Sequence, residues 1–125
     1  MAKNLEQISK EEAKNLVDIL GPHIKYDMTY DPVYCENRED VCGVRRLAEN
    51  GSDYGYDTIY LLYKTPKGLN HEKVIDSQRS KDYIHIDSLT QIGDTLTLKV
   101  HSGGSYSGQA WNKTFNYALA RLGLS

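Results

Sequence analysis

From Ile24 onward the apolar residues of this chain recur at every second position. Ile24, Tyr26, Met28 and Tyr30 fall on one side of an extended backbone, and Lys25, Asp27, Thr29 and Asp31 on the other. Successive side chains of a strand point to opposite faces, so this alternation marks a strand with one face buried and one wet. Further extended runs follow. "VRRLAE" (44–49) and "TIYLLYK" (58–64) flank the turn-rich "NGSDYGYD", which predicts a hairpin with a long or bulged connection. Ile59 to Tyr63 is apolar on both parities and reads as a central strand, "TPKG" (65–68) as the next turn, and "EKVID" (72–76) as a short strand.

Two segments keep a helical period instead. Ser9 and Glu12 form a capping box, Ile8 can staple onto Ala13, and Ala13, Leu16, Val17 and Leu20 make one apolar stripe. Gly21 suits a left-handed C′ position and Pro22 blocks continuation. At the other end, Trp111, Phe115, Ala118, Leu119 and Leu122 predict a helix over about residues 108–122, with Gly123 at C′ and Leu124 against Leu119 as in a Schellman end. The fold class expected is therefore α+β in two layers: an N-terminal helix, about six mostly antiparallel strands and a C-terminal helix, both helices packed on one sheet face. The length of 125 residues fits a single domain, 1–125.

The hairpin "DYIHIDSLTQIGDTLTLKVH" (82–101) allows its register to be argued. Keeping every apolar residue on one face favours a three-residue loop of Gln91, Ile92 and Gly93 over a two-residue loop at Ile92 and Gly93 or at Gly93 and Asp94. Ile86 then pairs with Leu98 and Ile84 with Val100. Tyr83 falls across from His101 and His85 across from Lys99, so Tyr83, His85, Asp87, Lys99 and His101 share the face away from the core.

"HSGGSYSGQAW" (101–111) joins this hairpin to the last element. Gly103 and Gly108 have the spacing of a phosphate-binding loop, but Gln109 and Ala110 stand where its lysine and hydroxyl residue belong, which disfavours nucleoside triphosphate hydrolysis. A nucleophile elbow is also missing, because Ser107 occupies its final glycine position. Ser102, Gly104, Ser105, Tyr106 and Ser107 still offer hydroxyls and amides that suit a carboxylate, sulfate or phosphate.

Other chemistries have less behind them. A formal charge of -2 gives no attraction to nucleic acid; stacking on tyrosines with Arg45, Arg46 and Lys99 as phosphate contacts is disfavoured by the acidic balance. Cys35 and Cys42 could close a small loop, hold half a metal site or stay as free thiols. A metal would need two more ligands from His23, His71, His85 and His101, none at a finger-like spacing. No metal and no cofactor are expected. The first residues carry no apolar leader and no segment is long enough to span a bilayer, so a cytoplasmic protein with reduced thiols and no membrane contact is expected. Ten tyrosines against one phenylalanine suit a half-wet interaction face. The leading expectation is a non-catalytic module binding a protein partner or small anionic ligand where Tyr83, His85, Asp87, Lys99 and His101 meet the 101–108 loop. The alternatives are a small hydrolase or isomerase with His101 or His85 as general acid or base, and a homodimer joined through the tyrosine face.

Overall fold

The capping box forms as the sequence specifies. In the computed structural model, which describes residues 7–21, 27–49, 55–80, 82–104 and 110–125, helix α1 spans Lys10–Leu20. Ser9 Oγ accepts from the Glu12 amide and Glu12 Oε1 from the Ser9 amide, both at 3.0 Å. Ile8 and Ala13 are both buried in the cluster beneath the helix. Gly21, however, has φ -86°, so it is no left-handed cap. A Cβ there would run into the Arg46 guanidinium, and close approach is what the glycine serves.

Among the described residues seven strands follow: β1 (Asp27–Tyr34), β2 (Val41–Glu49), β3 (Gly55–Thr65), β4 (Gly68–Ser80), β5 (Asp82–Ile92), β6 (Thr95–Gly104) and β7 (Trp111–Ala118), with a short 3-10 turn at Ala120–Leu122. They form two antiparallel sheets, β1-β2-β3-β4 and β5-β6-β7. The central strands β2 and β3 of the first sheet are buried on both sides. Val41, Ile59 and Leu61 face the second sheet, meeting Ile84, Leu89, Leu96, Leu98 and Val100. Cys42, Val44, Tyr60 and Leu62 face the other way, against Ile8, Ala13 and Val17. The layers are thus helix, sheet, sheet. The expected two-layer arrangement with two helices on one sheet face does not occur. Among the described residues no helix is long and apolar enough to cross a membrane.

The C-terminal helix is replaced by β7. Trp111 and Phe115 are spaced by four, which satisfies a helical stripe and a period of two equally well. Tyr117 fits only the latter, and Trp111, Phe115 and Tyr117 are half-buried while the residues between them are exposed. The terminal signals were sound but belong to one turn. Gly123 is left-handed (φ 78°), its N–H donates to the Ala120 carbonyl, and the Leu124 N–H donates to that of Leu119 at 2.9 Å, completing a Schellman end after the 3-10 turn.

The β5–β6 hairpin also differs from expectation. Ile92 pairs with Thr95, so the loop is Gly93-Asp94, with the positive φ (62°) on the glycine as in a type II′ turn. A constant parity along β5 would then expose the wrong set. The chain resolves this with a bulge at Asp87: Leu89 pairs with Leu98 on one side of it and Ile86 with Val100 on the other. The inward positions switch from odd to even across that one residue.

Gly43 lets the sheets approach. A Cβ on it would lie 3.1 Å from Ile86 Cδ1 and 3.5 Å from Leu98 Cδ1. Gly43→Val wedges this contact and is expected to cost about 1–3 kcal/mol, the usual range for overpacking. Urea unfolding of the two proteins checks it; an unchanged midpoint contradicts the packing described.

Candidate functional site

β5 is an edge strand of its sheet, and its outer edge meets the first sheet's side chains. Arg45 shares its parity on β2 with Val41 and Gly43 and so points at β5. Its Nη1–H donates to the Ile84 carbonyl (3.3 Å), and the Ile84 N–H donates to Asp57 Oδ2 (3.0 Å). Arg45 Nη2 donates to Asp31 Oδ2 at 2.7 Å, while its Nε lies 3.8 Å from Asp57 Oδ1, an ion-pair distance too long for a hydrogen bond. The Arg45 side chain is 9% exposed and that of Asp57 is 0% exposed. Burial pushes the Asp57 carboxyl up to about 6. The Ile84 N–H and the Arg45 charge oppose that rise, and Glu49 and Asp31 add to it.

The same Arg45 Nη1 lies 3.4 Å from His85 Nδ1. His85 is directly across from His101 in the ladder, and the two rings stack with centroids 5.3 Å apart and planes at 29°. Next to them the bulged Asp87 reaches His101, its Oδ1 lying 2.6 Å from Nδ1. The outer face of β5-β6 therefore carries two imidazoles, each held through Nδ1 by the protein: His85 by a cation behind it, His101 by a carboxylate beside it. His85 is exposed as a residue, yet packing around its ring lowers its pKa, followed by the positive charge of Arg45 and the proximity of His101. A guanidinium donates only, so His85 Nδ1 is the acceptor and Nε2 carries the hydrogen.

Both histidines lie outside the core, by a register other than the expected one. The pairings Tyr83–His101 and His85–Lys99 are replaced by His85–His101 and Ser88–Lys99. Lys99 is exposed and shares the face of His101. Ser102, in contrast, is buried at 7%, on the inward parity of β6 between Ile84 and Trp111. Tyr83 lies in β5 and Gly104 ends β6, but the Tyr83 side chain and residues Ser105, Tyr106 and Ser107 lie outside the described residues. Arg45 and Arg46, considered as phosphate contacts, are 8% and 3% exposed and cannot serve as such.

Arg45, Asp31 and Asp57 as parts of one site were missed. The available signal was a charge within strand segments rich in apolar residues, Arg45 between Val44 and Leu47 and Asp57 just before the Ile59–Tyr63 run, which demands a buried partner. Among the described residues, one groove of about 250 Å3 lies between α1 and β1 and another of about 370 Å3 between the β3–β4 turn and the C-terminal turn; neither contains the histidines. Cys35 and Cys42 are buried free thiols on opposite sides of the first sheet, and burial pushes Cys42 up to about 12, well away from a reactive thiolate. No three His, Cys, Asp or Glu among the described residues are grouped to hold a metal. No family model, curated protein or solved structure matches the chain.

The raised pKa of Asp57 has a definite sign. Its carboxyl binds a proton more readily in the folded chain than in the unfolded one, where it titrates near 3.8. Its ionisation therefore subtracts stability as pH rises from about 4 to about 6, by an amount on the order of 3 kcal/mol for two pKa units. Asp57→Asn keeps an acceptor for Ile84 without the charge. Relative to the unaltered protein it should gain about that amount between pH 4 and pH 7, measured by urea unfolding across that range; parallel pH profiles contradict the burial of an ionised carboxyl here.

Proposed function

We propose that the protein is a non-catalytic binding module that takes a small anionic ligand at the His85–His101 pair on the outer face of the second sheet. The observation carrying this reading is the stacked pair of imidazoles with both Nδ1 atoms committed to the protein. Each ring then has Nε2 to offer a ligand. His85 offers an N–H as it stands, and His101 offers one when protonated. Lys99 on the same face adds a positive charge. A carboxylate from an acidic side chain of a protein partner presents the same chemistry as a free anion. The two buried free thiols fit a reducing compartment, which supports a cytoplasmic setting.

The 2.6 Å contact of Asp87 with His101 Nδ1 favours a second reading, in which His101 is a general acid or base positioned by that carboxylate. The binding reading is preferred because His85, Asp87 and Lys99 are exposed, so the described part of this face is open rather than enclosed.

Titration with inorganic phosphate, followed through the ring resonances of His85 and His101, tests the proposal. Saturable shifts of both rings are expected, with affinity about tenfold lower in His101→Gln, the loss typical of one charge-assisted hydrogen bond. Absence of any shift in either ring rejects the site. Turnover of ester substrates that is lost in His101→Gln would favour the enzyme instead.

A further inference from the structure

We propose that the anion is captured together with protons, one taken up at His101 on the face and a second at Asp57 behind it, so that Arg45 links ligand binding to a buried carboxyl. This rests on the site assigned above and adds its regulation.

The linkage follows from how one guanidinium is shared. Arg45 Nη1 touches both the Ile84 carbonyl and His85 Nδ1, Nη2 holds Asp31, and Nε faces Asp57. When Asp57 is ionised, a single buried cation stands between two carboxylates, and the group carries a net negative charge directly behind the ring that must meet an anion. Protonating one carboxylate makes the group neutral. The Asp31 side chain is 55% exposed and that of Asp57 is 0% exposed, so water supports the charge on Asp31 and the proton goes to Asp57.

The surrounding charges set the rest of the balance. Glu49 on β2 adds negative potential at Asp57, and Asp87 on β5 does so at both imidazoles. Lys99 on β6 shares the face with His101. His85, whose protonation is disfavoured by its packing and by Arg45, donates from Nε2. His101 differs in what holds it. Its Nδ1 is engaged by Asp87, so an added proton appears on Nε2 and completes a pair of N–H donors facing the ligand. A bound anion favours both protonations, and by reciprocity each protonation tightens the anion.

Sulfate is the appropriate probe because it stays fully ionised between pH 5.5 and 7.5. In the unaltered protein its affinity, read from ring shifts at constant ionic strength, is expected to rise about tenfold or more from pH 7.5 to pH 5.5. In Asp57→Asn the rise should be smaller by about threefold or more. A second readout needs no variant: the titration midpoint of the Asp57 carboxyl carbon should move upward in saturating sulfate. Imidazole shifts accompanied by an unmoved Asp57 midpoint overturn the linkage and leave the site standing. If sulfate perturbs neither ring, the site itself falls and the linkage with it.

Discussion

The structure depends on how the outer edge of β5 is closed. An edge strand presents a row of N–H and C=O groups that must find water, another strand or side chains. Here the first sheet supplies the partners. Asp57 and Arg45 take the N–H and C=O of Ile84, the Glu36 N–H takes the Leu89 carbonyl at 3.0 Å, and the Asn37 side chain takes both groups of Gln91 at 2.9 and 2.8 Å. These contacts fall at Ile84 on one side of the Asp87 bulge and at Leu89 and Gln91 on the other. A regular strand would aim alternate residues outward, and 84 and 89 differ by an odd number. The bulge is what lets one strand keep both its core positions and its edge contacts in phase.

That closure also makes the site. Removing Arg45 and Asp57 from water is costly, and their mutual attraction at 3.8 Å is modest compensation for a carboxyl whose pKa burial still raises. The hydrogen bonds to Ile84 repay part of it by satisfying backbone groups that a second sheet packed face to face would otherwise strand. Because Arg45 ends at the level of β5, its Nη1 reaches through to His85. The chemistry of the exposed face is thus tied to the joint between the sheets, and a substitution at Arg45 would disturb both.

How much of this was legible in the sequence varied with the range of the interaction. The α1 cap at Ser9 and Glu12 was readable because its contacts are three residues apart. The outward placement of His85 and His101 was readable from parity, although the loop length inferred from it was wrong: an insertion such as Asp87 is invisible to any argument that assumes unbroken alternation. β7 was misread because Trp111 and Phe115 satisfy both periods, and the signals at Gly123 and Leu124 describe a chain ending, not the length of helix before it. For Arg45 and Asp57 the need for a buried partner was signalled, but the partner's identity was out of reach for a different reason. Their roles lie in contacts with β5, which is 27 and 39 residues distant along the chain.

The replacement of the expected second helix by β7 decides which sheet face the described residues leave uncovered. Among the described residues, the one helix and two sheets cover three of the four sheet faces: both faces of the first sheet and the inner face of the second. The described residues of the remaining face are mostly polar. Asn112, Thr114 and Asn116 of β7 occupy it, with Thr97 Oγ1 donating to Asn116 Oδ1 at 2.9 Å, and all three are exposed. Amid these neutral polar residues the two imidazoles, Asp87 and Lys99 are the groups that titrate or carry charge on this face among the described residues of β5, β6 and β7 that point outward. Among the described residues the charged and titratable groups of this face are therefore concentrated near the bulge, where the edge closure from the first sheet comes through.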